Sequence, residues 1–186
     1  DLDGLIAAAV LKTVYPSAEV CFGHPAELRS GLHDDWIDRN TAICDLPFHP
    51  NCGLYLDHHA TNRPSAEEQA VFEDKGGVCQ WEDKPSAARV AYDLYLAEND
   101  LSHLTPLMPM VDALDSGGIT REQLFSNDPV LWLSKTISLT DILQKTGSDV
   151  HGLQNQCVFF GSDLRPTRRT NERSASFYPR HLGFFP

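Results

Sequence analysis

Methionine occurs only twice in the 186 residues, and the five cysteines fall at irregular positions with no Cys-x-x-Cys pair. An odd, unpatterned set of thiols argues against a disulfide framework and points to the reducing cytoplasm as the expected location. Zinc on Cys44 and Cys52 is conceivable, but buried thiols are the plainer reading. Long apolar runs are missing too. Gly4 to Leu11 is far too short to cross a bilayer, so no membrane partner is expected. No basic segment precedes it, which argues against a signal peptide. The chain opens on Asp1 without an initiator Met, so it is expected to be a fragment or a processed product. Positive charge is scarce, with 15 Lys and Arg against 26 Asp and Glu and a net charge of −11. That balance disfavours long nucleic acid spread over a broad face. A small anionic substrate stays compatible, because bound metal ions reverse the local potential.

What is present suffices for one full domain with its own core. The stretch from Gly4 to Lys12 is rich in helix formers and suits a helix packed on a sheet. Glu19–Phe22 reads as a short strand after the turn at Tyr15-Pro16-Ser17. A polar stretch from His24 to Asn40 is expected to hold a short helix. Thr41–Asp45 and Leu54–Asp57 read as two buried strands. Residues 60–83 read as a long polar connection, with Gly76-Gly77 inside it, bordering the functional site. Asp83-Lys84-Pro85-Ser86 is a helix start, and Ala87 to Glu98 continues it. Further helices are expected over Leu104–Leu114 and, more weakly, Val130–Leu143.

Apolar strands alternating with helices predict an α/β fold, a mostly parallel sheet with helices on both faces. Ligands of such sheets sit outside the carboxyl ends of the strands, where Asp45 and Asp57 fall. The last 29 residues differ. From Val158 to Pro186 five arginines face Asp163 and Glu172, a net +3 that leaves −14 on the rest. We expect a domain over 1–157 and an Arg-rich, disordered tail over 158–186. An RNA-binding arm is the functional alternative for that tail.

The chemistry gathers at three places. The chain opens on Asp1-Leu2-Asp3-Gly4, Asp45 closes one strand, and Asp57-His58-His59 closes another. Carboxylates and imidazoles gathered at one sheet edge are what a divalent metal site needs, and a mixed oxygen and nitrogen set favours manganese. Magnesium, cobalt or iron are the other candidates. A phosphoester, whose charge repels nucleophiles, is the substrate for which such a site is suited.

These motifs, in this order, resemble the DHH phosphoesterase superfamily, which includes exopolyphosphatase-like proteins and oligoribonucleases. The resemblance covers roughly residues 1–145, the catalytic domain. It implies two-metal water activation against a phosphodiester or phosphoanhydride in a short oligonucleotide, dinucleotide or polyphosphate. Asp1 and Asp3 match the first motif and would ligate different metals; Asp45 would bridge both. His58 would ligate, while His59 would contact the scissile phosphate or protonate the leaving oxygen. Asp57 would fix imidazole orientation from behind. Asp115, in Asp112-Ala113-Leu114-Asp115-Ser116-Gly117, is the last expected ligand, with Asp112 its rival. Ser86 and Arg89 could meet a phosphate at their helix end. The family's strand and His before the first motif, and its C-terminal substrate domain, are expected to be missing. The alternative function is therefore a degenerate, catalytically impaired relative that binds metal, nucleotide or a partner.

Overall fold

The computed structural model describes residues 1–137 and 157–160. Helix α1 (Leu2–Val14) begins where the Asp1 side chain accepts from the Gly4 amide, 3.1 Å away, and its Ala-rich body is buried along most of its length. Strand β1 (Glu19–Phe22) and the short helix α2 (Pro25–Arg29) follow. Strands β2 (Thr41–Cys44) and β3 (Leu54–Asp57) are buried at every position, as apolar runs covered on two faces must be.

The span 60–83 is not the structureless connection its polarity suggested. It holds a 3-10 turn (Ala60–Asn62), helix α3 (Ala66–Asp74) and strand β4 (Val78–Trp81). The physical reason is local. Ser65 and Glu68 form a reciprocal capping box that starts α3 without any apolar period. Val78-Cys79-Gln80-Trp81 is an edge strand, half-buried rather than buried. Helix α4 (Ala87–Tyr95) starts at Ser86, whose hydroxyl accepts from the Arg89 amide. Helix α5 (Met108–Asp115) follows, then α6 (Arg121–Leu124) and α7 (Pro129–Thr136). The helix expected over Val130–Leu143 is α7 up to Thr136; residues 138–143 lie outside the described part.

The sheet runs β1-β5-β2-β3-β4, with β5 formed by Cys157–Phe160. Parallel pairing of β2, β3 and β4 agrees with the expected α/β class. Strand β5 is the exception, antiparallel to both β1 and β2, with Cys44 opposite Cys157 and Thr41 opposite Phe160. Residues 158–160, assigned to the tail from their sequence, are therefore an interior strand. The arginines that suggested disorder begin only at Arg165, after a β-branched and aromatic run that suits a strand. Residues 161–186 of the expected tail are outside the described part.

Side chains of β2 and β3 divide between two clusters. Ala42, Cys44, Leu54 and Leu56 join Ile6, Ala7 and Val10 of α1 and Val90 and Ala91 of α4. Ile43 and Tyr55 join Leu28 of α2 and Phe72 of α3 on the other face. Helices thus cover both faces, as the apolar strands required. Among the described residues no helix is long and apolar enough to cross a membrane.

Gly77 shows how tightly the second face is closed. A Cβ there would overlap the Phe72 ring, which is itself 2% exposed and packed edge-on by Phe48. G77A is expected to destabilise the fold by about 1–3 kcal/mol through overpacking. Urea denaturation checks this, and an unchanged midpoint would show that the ring can move aside.

Candidate metal centre

The carboxyl ends of β2 and β3, the first turn of α1 and the last turn of α5 converge on one rim. Four groups, Asp45, Asp57, His58 and His59, present ligand atoms within 4.8 Å of one another, and so do Asp3, His58 and Asp115. His58 belongs to both sets. Groups far apart in sequence meet because parallel strands deliver their carboxyl ends to the same edge.

Asp45 is the least satisfied of them. Its side chain is buried, and among the described residues neither carboxylate oxygen accepts a hydrogen bond, although His59 Nδ1 lies 3.3 Å from Oδ1. Its backbone holds a left-handed conformation, φ 57°, the only non-glycine among the described residues to do so. Its amide donates to Leu56 O at 3.1 Å, which ties the turn after β2 to β3. Burial raises the Asp45 pKa well above the ordinary carboxylate value, and the charges of Asp3, Asp57 and Asp115 add to it. A buried acid with open oxygens in a strained backbone is the kind of outlier that points to a ligand.

Asp3 is held differently. Its two oxygens accept from the first two amides of α4, Ala87 at 2.8 Å and Ala88 at 2.6 Å. A carboxylate at a helix N-terminus is favoured by the helix dipole, yet burial still raises the Asp3 pKa to about 6. This contact also explains why Ser86 and Arg89 are not free to meet a phosphate. The α4 amides are already occupied by Asp3. Ser86 is fully buried and donates to Asp112 at 2.8 Å. Arg89 donates from Nε and Nη2 to a single Asp112 oxygen at 3.0 and 2.7 Å. Asp112, the rival to Asp115, is thereby committed to locking α5 onto α4. Asp115, one turn on, reaches His58 Nε2 at 3.0 Å.

Asp57 is a hub. Oδ1 accepts from the amides of His58 and His59 and from His59 Nδ1, at 2.7, 3.0 and 3.0 Å. Oδ2 accepts from the Tyr55 hydroxyl and Asn62 Nδ2, at 2.9 and 2.8 Å. Burial alone would raise its pKa, but these donors outweigh it and leave the pKa lowered. With both oxygens saturated, Asp57 orients the imidazoles rather than offering an open ligand.

The two histidines are set apart by their partners. His58 Nδ1 pairs with Lys84 O at 3.0 Å, which assigns its proton there and leaves Nε2 as the lone-pair atom. That Nε2 is buried, has no aligned hydrogen bond, and lies 3.7 Å from Asp3 Oδ2. Burial opposes protonation of His58, but Asp115 and then Asp3 raise its pKa overall. His59 is anchored through Nδ1 and is 37% exposed, so its Nε2 end can face a ligand. Its pKa is raised, chiefly by the hydrogen bond to Asp57. Buried Asp45 carboxylate oxygens and a buried His58 nitrogen, none of them hydrogen-bonded among the described residues, are a donor set that fits a divalent ion.

Asp1 is exposed, its carboxylate caps α1, and it is absent from both four- and three-membered groups. Sequence reasoning passed over Tyr55, Asn62, Asp112 as a clamp, and the Lys84 carbonyl. Tyr55 carried the only available signal: a phenol in an otherwise apolar strand needs a buried partner.

No protein-family model matches the chain, and neither does any curated protein. Among solved structures, the fold is similar to that of the pGpG-specific phosphodiesterase PggH from Vibrio cholerae, with a TM-score of 0.57 and 24% identity. The match covers 78% of this chain and 48% of that one, so the chain spans about half the length of its structural neighbour. At that identity what the two share is the fold.

Proposed function

We propose that the chain is a DHH-type, metal-dependent phosphoesterase acting on a phosphodiester or phosphoanhydride. The candidate substrates are a short oligonucleotide, a dinucleotide or polyphosphate. One observation carries the reading: two groups of ligand atoms share His58 and include Asp45, whose buried oxygens accept no hydrogen bond from the described residues. The fold likeness to a phosphodiesterase supports it.

Asp3, Asp45, His58 and Asp115 would hold two manganese ions, with magnesium or cobalt as substitutes, and Asp1 would contribute to one of them. Bound divalent ions supply charge neutralisation and an activated water for phosphoryl transfer. The protein's own part is positional. Asp57 holds the His59 ring by Nδ1, and that hydrogen bond raises the His59 pKa and so favours the imidazolium form. A protonated ring there attracts the phosphoryl oxygens and can protonate the leaving oxygen.

Manganese titration by calorimetry is expected to give about two sites. Hydrolysis of bis-p-nitrophenyl phosphate and of the dinucleotide pGpG then tests turnover. D115A is expected to lower kcat by at least about 100-fold, since even partners behind a ligand are worth 10–100-fold. Full activity in D115A would remove Asp115 from the site. Metal binding without turnover of either substrate would instead favour the impaired relative.

A further inference from the structure

Arg63 is held unlike the other site-edge cations. Its guanidinium carbon lies 4.3 Å from the Trp81 ring centre. Among the described residues its side chain has no ion pair and donates no hydrogen bond. Lys84 and Arg89, by contrast, are neutralised by Glu82, Asp93 and Asp112. An unpaired arginine matters in a chain of net charge −11.

Both of its supports lead back to the site. Trp81 Nε1 donates to His59 O at 2.9 Å, and Trp81 sits opposite Asp57 in the β3–β4 register. Asn62, immediately before Arg63, donates to Asp57 and accepts from Arg29 at 3.1 Å. The ring under Arg63 and the backbone leading into it are therefore fixed by the residues that fix His59. Stacking occupies the guanidinium face and leaves its in-plane N–H groups at the open edge. A planar, pre-oriented fork of this kind binds a terminal phosphate through two parallel hydrogen bonds.

We propose that Arg63, seated on Trp81, recognises a second phosphate of the substrate, separate from the one hydrolysed. The substrate class is then a phosphodiester carrying a terminal phosphate, such as a 5′-phosphorylated dinucleotide. This rests on the phosphoesterase reading of the neighbouring rim. Trp81 acts as a positioning residue, holding Arg63 at a set distance from His59.

The test compares two probes that differ only in the terminal phosphate, pGpG and the dinucleoside monophosphate GpG. Affinities are measured by calorimetry with calcium in place of manganese, so that binding is read without turnover. Wild type is expected to prefer pGpG by roughly tenfold or more, the worth of one charge-assisted contact. R63Q is expected to lose that preference, W81L to lose most of it, and R63K, which keeps charge but not the flat fork, to lie between. Equal affinity of wild type for the two probes, binding of neither, or a preference intact in R63Q overturns the proposal. Failure of the phosphoesterase reading would register separately, as no cleavage of pGpG in manganese while the binding preference persists.

Discussion

Asp45→Asn is expected to raise the thermal midpoint of the metal-free protein while abolishing its stabilisation by manganese. In wild type the carboxylate is buried, accepts no hydrogen bond from the described residues and faces the charges of Asp3, Asp57 and Asp115, with His59 Nδ1 at 3.3 Å. An asparagine amide removes the charge and presents two donors to those same acids. It also tolerates the left-handed backbone at this position better than most residues do. Relief of one unsatisfied buried group is worth about 2 kcal/mol, or roughly 4–8 °C in a chain of this size. Manganese at a hundred times its dissociation constant stabilises a folded protein by about 2.7 kcal/mol, and D45N should show none of this. Scanning fluorimetry with and without manganese reads both effects. A metal-free D45N less stable than wild type, or an equal manganese shift in both, would sink the ligand assignment.

The same carboxyls set a pH dependence whose direction follows from their shifts. The Asp3 pKa is raised to about 6 from 3.8, and that of Asp45 is raised as well. The folded state therefore binds protons that the unfolded chain has released. Metal-free stability should rise as pH falls from about 7 toward 4, and the raised His58 pKa acts in the same sense. Metal affinity should move oppositely, because ligands must shed their protons to bind. D45N should flatten the first of these slopes.

Asp57→Asn carries the largest expected loss of stability. The substitution is nearly isosteric, yet every group around Asp57 is a donor: two amides, an imidazole, a hydroxyl and a carboxamide. Whichever way the new amide turns, its NH2 faces N–H or O–H groups. Breaking a buried, charge-assisted network of this kind costs about 3–5 kcal/mol, roughly 6–20 °C. Its pH signature has the opposite sign to that of Asp45. The lowered Asp57 pKa stabilises the fold above the unfolded value of 3.8 and is lost as pH falls through the folded value. D57N should therefore lose its disadvantage in strong acid. Guanidinium denaturation within 0.5 kcal/mol of wild type at pH 7 would mean that the hub does not hold the imidazoles.

The parts of the fold that could be read from the residues are those where local signal and burial agree. Thr41–Cys44 and Leu54–Asp57 are apolar runs closed by acids, and they are the two fully buried parallel strands. Helices α1 and α4 announce themselves through Asp1, Ser86 and alanine-rich bodies. Strand β4 and helix α3 escaped notice because an edge strand and a surface helix need little apolar character; capping chemistry, not periodicity, defines α3. Strand β5 escaped because its place in the sheet is set by distant partners. For the site, residue types and order put forward Asp1, Asp3, Asp45, His58, His59 and Asp115, and the fold brings the side chains of the last five to one rim. They could not reveal that Ser86 and Arg89 are both engaged by Asp112, since that depends on Asp112 arriving from another helix.

Among the described residues, strand β1 has a single neighbour in the sheet, and that neighbour is β5. During synthesis β1 emerges early, whereas the strand joining it to β2 is made only after every other described element. The early strand must wait as an unpaired edge, and closing so long a loop slows folding. Release of the chain before residue 160 would leave the candidate metal-binding rim on a sheet missing one of its inner strands.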